Sequence, residues 1–200
     1  MLFQSQPNLF DTALAVEPRG LRYQPDFLAP TEERELLALI QTLPLREMQY
    51  KQYTAKRRIV SFGGQYDFTK LALQPVGGPP PELAPLQRKA AEWLGVAPEA
   101  FTQILVAEYS PGTPLGWHRD VADFQDVVGI SLLSDAVMRF RPYPPNAPRK
   151  SDIVKLVLEP RSVYVLRGPA RWEWQHSIAP TASLRYSITF RTKRLLSGAV

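Results

Sequence analysis

The chain has 200 residues and a mass of 22.6 kDa, 44% hydrophobic and 22% charged, enough to bury the core of one ordinary globular domain and unlike collagen, coiled coils or disordered chains. There is no cysteine, and the two histidines are His118 and His176, so disulfides, thiolate nucleophiles and cysteine-ligated zinc or iron-sulfur centres are excluded. The net charge is +5, yet residues 139–194 alone hold twelve bases, nine of them Arg, against three acids. That is the composition of a solvated basic surface or of a site that grips planar anions.

No stretch has the length of a membrane span, and the N-terminus has neither a basic segment nor an unbroken apolar one. The expectation is a cytoplasmic monomer with no membrane partner. The first helix is predicted over Thr31–Leu43, with Thr31 as N-cap after Pro30, Glu32 and Glu33 at the positive end of the dipole, and an apolar stripe of Leu36, Ile40 and Leu43. A stretch of aromatics among bases follows: Tyr50, Tyr53, Phe62, Tyr66 and Phe68 with Lys51, Lys56, Arg57 and Arg58. Such a stretch suits either an amphipathic hairpin or a surface that stacks and neutralises nucleotides. The second helix is predicted over Pro81–Leu94, stopped by Gly95.

From about residue 102 the pattern turns to short β-rich runs: Gln103–Tyr109, Val127–Leu133, Val137–Arg141, Ile153–Leu158, Ser162–Leu166, Trp172–Ser177 and Leu184–Lys193. Ser134-Asp135 reads as a hairpin turn and Pro142–Lys150 as an exposed loop. Seven strands at this spacing predict a sandwich or barrel.

His118 and Asp120 are two apart, so on extended backbone their side chains share a face; His176 lies near the end of a later strand. Two imidazoles and a carboxylate leave three open positions on an iron, the arrangement of a non-haem Fe(II) oxygenase. The same donors with a water in the fourth place would suit a zinc hydrolase. In the run Arg185-Tyr-Ser-Ile-Thr-Phe-Arg191, Arg185, Ser187, Thr189 and Arg191 share one face of a strand and Tyr186, Ile188 and Phe190 the other. If the apolar face packs against helices, two guanidinium groups enter the sandwich and need an anion. If it faces the core instead, they are solvated, and alternation fits both cases.

His118-x-Asp120, His176 and Arg185–Arg191, in that order, resemble the AlkB family of Fe(II)/2-oxoglutarate dioxygenases, whose last motif is Arg-x-Asn-x-Thr-Phe-Arg. Glu108-Tyr-Ser-Pro-Gly112 and Gly168-Pro-Ala-Arg171 add to the resemblance, which covers roughly residues 20–194. It implies an α+β, mainly β protein: a double-stranded β-helix (jelly-roll) core with N-terminal helices packed on it and a substrate lid. The implied organisation is one domain over 1–200, with 1–20 an extension, 48–68 the lid and 102–194 the core.

By the same resemblance His118, Asp120 and His176 would ligate Fe(II), and Arg185, helped by Tyr109, would hold the distal carboxylate of 2-oxoglutarate. Arg191 would lie beside the iron-bound carboxylate, with Ser187 near the cosubstrate, and O2 would complete the reagents. Arg57, Arg58, Tyr66, Trp117, Asp123 and Trp174 are the expected substrate contacts. The implied substrate is an alkylated base of DNA or RNA, demethylated in repair. The base-contacting Asp of repair members is replaced by Ala122, and two family Asn residues by Ala107 and Ser187. These departures leave room for the same chemistry on a protein side chain, a tRNA modification or a small molecule. A metal-binding jelly roll without enzymatic activity is the remaining alternative.

Overall fold

The computed structural model describes residues 18–50, 53–67, 70, 72–145 and 152–194. Thirteen strands are assigned among them: β1 (Leu21–Gln24), β2 (Arg46–Tyr50), β3 (Tyr53–Phe62), β4 (Gly64–Asp67), β5 (Ala72–Pro75), β6 (Phe101–Tyr109), β7 (Leu115–His118), β8 (Phe124–Leu132), β9 (Ala136–Pro142), β10 (Val154–Leu158), β11 (Val163–Leu166), β12 (Trp174–Ile178) and β13 (Arg185–Lys193). The helices are α1 (Pro30–Thr42), α2 (Ala84–Leu94) and the short α3 (Pro169–Trp172).

Seven strands form the larger sheet in the order β1-β11-β8-β13-β6-β3-β2, four form the smaller one, β10-β9-β12-β7, and β4-β5 is a separate ribbon. This is the jelly-roll architecture, with α1 and α2 on the larger sheet. Leu36 and Ile40 of α1 and Leu86, Ala90, Ala91 and Leu94 of α2 pack on Ile104, Val106, Val128, Ile130, Ile188 and Phe190 from its strands. A second core, between the sheets, joins Val127, Tyr164 and Leu166 to Met138, Phe140, Leu158 and Ile178. Each of the six residues named from the larger sheet in the first core contributes about 1.5–3 kcal/mol by its burial.

The first helix starts one residue earlier than its sequence suggests. Ala29 is the N-cap and Pro30 opens the helix, a position where the missing N–H costs nothing. The Glu32 carboxylate takes the cap role, accepting the Ala29 N–H at 2.7 Å. The second helix is preceded by a 3-10 turn over Pro81–Leu83 and ends at Gly95, whose φ of 81° is the left-handed cap geometry. The residues from Leu133 to Asp135 turn β8 into β9, with Leu133 at φ 76°. The strand expected from Trp172 begins at Trp174, because Pro169–Trp172 forms a helical turn.

Strands β1, β5 and β7 were not anticipated; β5 pairs with β4 in the separate ribbon. β1 is a four-residue edge strand paired with β11, and β7 is a four-residue strand containing Gly116 and paired with β12. The stretch expected as a lid is in part a continuation of the larger sheet, since Arg58–Phe62 of β3 pair with β6. Lys51 and Phe68, together with 146–150 of the expected loop, lie outside the described residues, as do the side chains of Tyr50 and Tyr53.

Candidate active site

The register of the smaller sheet brings the two histidines face to face. His176 of β12 is the Cα partner of His118 of β7, and the ring centroids are 4.2 Å apart. Two residues further along, Asp120 turns back to the same point, so one donor atom from each of His118, Asp120 and His176 lies within 4.8 Å of the others. His118 Nδ1 is 2.8 Å from the Gly116 carbonyl oxygen; donation there leaves Nε2 as the ligand atom.

Charge around this cluster is arranged for a cation. Burial, with the second imidazole alongside, pushes the His176 pKa down to about 3, and burial also lowers that of His118 against the pull of Asp120. Both rings are therefore neutral, as ligands must be. Burial alone would raise the Asp120 pKa, but Arg191 and the two imidazoles outweigh it and hold the carboxyl well below the usual range. Arg191 donates to Asp120 Oδ1 from Nε at 3.1 Å and from Nη2 at 2.8 Å, and its Nη1 donates to Gln103 Oε1 at 3.0 Å. Gln103 in turn donates to the Gly64 carbonyl at 2.8 Å. The guanidinium expected beside the iron-bound carboxylate is thus spent on orienting Asp120.

β13 settles the question that alternation left open. Tyr186, Ile188 and Phe190 belong to the core under the helices, so Arg185, Ser187, Thr189 and Arg191 turn inward and line a cavity of about 700 Å³. Arg185 is 1% exposed. Its Nε donates to Ser131 Oγ at 3.0 Å and its Cζ lies 5.0 Å from the centre of the Tyr109 ring, while buried Nη1 has no hydrogen-bond partner. A buried, incompletely satisfied guanidinium is costly unless an anion meets it. The Tyr109 hydroxyl is buried beside it; burial would raise its pKa, but Arg57 and Arg185, with hydrogen bonds to Arg57 and Ser187, bring it below the usual phenol value.

These residues fit Fe(II) and 2-oxoglutarate: neutral nitrogen donors, an ionised oxygen donor and, in the same cavity, an unsatisfied cation for a dicarboxylate.

Of the expected substrate contacts, Arg57, Tyr66 and Trp117 line the cavity and Arg58, Asp123 and Trp174 do not. Arg58 sits on the opposite face of β3, where its guanidinium grips Glu108 at 2.6 and 2.7 Å. Trp174 packs into the core between the sheets. Asp123 is in an exposed turn, and its carbonyl accepts the Arg194 N–H at 2.7 Å. Ala122, beside it, is also exposed and outside the cavity lining. Conversely, Lys56, Arg119 and Tyr164 line the cavity without having been singled out. Arg119 lies between the two ligand positions of the His-x-Asp motif, which gave it a place but no role. Tyr164 sits in an unbroken apolar run, where no alternation marks the inward face. Its side chain lies against Gly129, so close that a Cβ there would fall within 2.4 Å of two ring carbons and the hydroxyl oxygen.

A jelly roll that gathers two neutral imidazoles, an ionised carboxylate and an unsatisfied buried arginine at one end belongs to the class of metal-centred oxygenase folds. The model of the 2OG-Fe(II) oxygenase superfamily matches residues 20–191, and the chain belongs to that superfamily, with AlkB-type proteins among its relatives. An Arabidopsis thaliana protein named "Alkylated DNA repair protein ALKBH8 homolog" is 29% identical over 195 residues, covering 86% of this chain and 53% of that one. The Bos taurus "Alpha-ketoglutarate-dependent dioxygenase alkB homolog 7, mitochondrial" is 32% identical over 95 residues, covering 46% and 41%. The chain spans about half the length of these curated relatives. The solved structure of OsALKBH1 superimposes with a TM-score of 0.65 at 17% identity, covering 86% of this chain and 98% of that one, and so shares the fold. No helix among the described residues is long and apolar enough to cross a membrane.

Proposed function

We propose that the protein is an Fe(II)- and 2-oxoglutarate-dependent dioxygenase that removes N-methyl or related alkyl groups from bases of DNA or RNA. The observation that carries this reading is the single cavity that joins the His118-Asp120-His176 cluster, the unsatisfied Nη1 of Arg185 and the cations Lys56, Arg57 and Arg119. Among the described lining residues Asp120 is the one carboxylate, so a substrate with adjacent phosphates suits the lining.

When bound, iron and 2-oxoglutarate supply the oxidation, one atom of O2 ending in succinate as CO2 leaves and the other in a substrate C–H bond. The chain's own part is placement. His118 presents Nε2 because Nδ1 is engaged by the Gly116 carbonyl; Asp120 presents Oδ2 because Arg191 holds Oδ1. Arg185 and Tyr109 receive the distal carboxylate of the cosubstrate, with Ser187 alongside. Tyr164, Val127 and Phe124 give part of the cavity lining an apolar surface, which limits water in the site. Where that carbon is an N-methyl group, hydroxylation yields a hemiaminal, which releases formaldehyde and restores the N–H.

The test is incubation with Fe(II), 2-oxoglutarate, ascorbate and N-methylated single-stranded oligonucleotides. Succinate and formaldehyde should appear in equal amounts with unmodified base. Turnover of 2-oxoglutarate with no base repaired in DNA or RNA would refute this substrate assignment. A tRNA base is the second reading: the Xenopus tropicalis relative named as a tRNA (carboxymethyluridine(34)-5-O)-methyltransferase is 27% identical over 169 residues.

A further inference from the structure

The cavity opens beside a second feature, the solvent face of the smaller sheet. Along β9, Ala136, Met138 and Phe140 turn into the core, so Val137, Arg139 and Arg141 turn outward. Across the sheet Lys155 of β10 is the Cα partner of Arg139, Ser177 of β12 is the next partner of Arg139, and Gln175 is the partner of Arg141. Three cations thus share one face, and two of them, Lys155 and Arg139, stand directly opposite each other on neighbouring strands. Like charges in that relationship destabilise a sheet, and an ordinary solvated face interleaves signs. Among the described residues no carboxylate pairs with any of the three; the acids nearest in sequence, Asp135, Asp152 and Glu159, lie beyond the strand ends.

The two arginines are also held in place. Arg139 donates from Nε to Ser177 Oγ at 3.0 Å and Arg141 from Nε to Gln175 Oε1 at 2.8 Å. Both guanidinium groups lie over the Trp117 ring, at 5.3 and 4.5 Å from its centre. Each guanidinium is fixed through its Nε edge, and its Nη groups are the ones suited to a two-pronged grip on a phosphate. Trp117 joins this face to the reaction site, because it also lines the cavity and immediately precedes His118. Arg119, another cavity residue, stacks on exposed Tyr143 at 3.7 Å and continues the row.

We propose that this face, carrying Lys155, Arg139, Arg141 and Trp117, is a docking track for the backbone of a single-stranded nucleic acid whose modified nucleotide enters the cavity. Cations in a row along a groove or face, interleaved with aromatic plates, are what sequence-tolerant single-strand binding requires. The row of cations across neighbouring strands and its continuity with the cavity through Trp117 favour a chain that runs past the site over a compact ligand. This inference rests on the nucleobase reading above and extends it beyond the cavity.

The experiment compares the 200-residue chain with its Arg139→Gln/Arg141→Gln/Lys155→Gln variant, which removes three charges and keeps polar side chains in their place. Binding of an unmodified fluorescent 15-nucleotide single strand is measured by anisotropy from about 25 to 200 mM salt. The variant should bind at least tenfold more weakly at low salt. Its slope of log Kd against log salt should fall by about 2, near 0.7 for each lost phosphate contact. Lys155→Gln alone, a change at an exposed side chain, should lower the slope by about 0.7 and guards against a triple variant that does not fold. With an N-methylated 15-mer, kcat/KM should fall in the triple variant, while a methylated trinucleotide should keep its KM within twofold.

Equal affinity and slope in wild type and variants would overturn the track. So would poly-glutamate competing as well as an oligonucleotide of equal charge. If wild type oxidises neither length yet its 15-mer binding still depends on the three residues, the track stands and the nucleobase reading falls. If both proteins oxidise the 15-mer with equal kcat/KM, the track falls and the nucleobase reading stands.

Discussion

Arg191 closes on a single oxygen of Asp120, through Nε at 3.1 Å and Nη2 at 2.8 Å, and leaves the other oxygen 3.7 Å from His176 Nε2. A carboxylate that would otherwise be free to rotate in the cavity is thereby given one orientation, and its second oxygen faces the imidazoles. The side chains are 11% and 9% exposed, so the pair is nearly dry and removal of one partner leaves a buried charge.

Arg191→Met should therefore cost about 3–5 kcal/mol of stability and weaken Fe(II) binding at least tenfold. Denaturant unfolding and anaerobic metal titration would check both, and unchanged stability would contradict the pairing. Arg191→Lys keeps a charge but not the fork, so its effect should be intermediate.

Arg185→Gln should raise the KM for 2-oxoglutarate by about 10- to 100-fold, since a charged hydrogen bond contributes about 1.5–3 kcal/mol. Iron affinity should stay within about threefold. Steady-state kinetics separate the two effects, and an unaltered KM would remove Arg185 from the cosubstrate site.

His176→Ala should abolish the visible charge-transfer band that anaerobic Fe(II) and 2-oxoglutarate are expected to give in the wild-type protein. Retention of the band by this variant would show that another group completes the metal site.

Gly129→Ala places a methyl group against the Tyr164 ring, at distances that real Cβ atoms do not show. The strand must shift or the ring must swing into the cavity, at a cost of about 1–3 kcal/mol and with weaker cosubstrate binding. Combination with Tyr164→Leu should recover part of that loss. The two changes should be non-additive in a double-mutant cycle; simple additivity would exclude the clash.

Glu32 joins the two helices by accepting from Lys89 Nζ at 2.7 and 2.8 Å. The Lys89 hydrogen bond, with that of the Ala29 N–H, lowers the Glu32 pKa below its ordinary 4.5. A carboxyl whose pKa is depressed in the folded state stabilises above its unfolded value and loses that contribution as pH falls through the folded one. The side chains are 40% and 36% exposed, so screening limits the coupling to about 0.2–1 kcal/mol. A Glu32→Gln/Lys89→Met cycle by urea unfolding should show this coupling at pH 7 and none at pH 2.5, and equal coupling at both would contradict the assignment.

Much of the fold and the metal cluster could be read from residue pattern because the signals are local. The His118-x-Asp120 spacing on extended backbone and the two-residue alternation from Arg185 to Arg191 each specify a shared face. Which face turns inward is not local, and the core under the helices decided it through Tyr186, Ile188 and Phe190. The same limit separates Arg57 from Arg58. They are adjacent and alike in chemistry, yet pairing of β3 with β6 sends one into the cavity and the other to Glu108; a register is a property of two strands, not one. Trp117 and Trp174 differ for a related reason: one is a single residue from His118 and the other two residues from His176, which puts them on opposite faces of the smaller sheet. β7 escaped notice because four residues with a glycine among them carry almost no periodicity, although the strand holds His118 in place.

β13 lies between β6 and β8 and pairs with both along nearly its whole length. Before this strand inserts, the larger sheet is two separate pieces, and neither Arg185 nor Arg191 has reached the cavity. Closing it joins residues between 54 (Tyr186 and Leu132) and 91 (Thr192 and Phe101) positions apart in the chain, a slow kind of contact to form. Metal and cosubstrate capture should therefore come late in folding, and nascent or misassembled chains would hold neither. A bound iron with its dicarboxylate then reports that the last strand is in register.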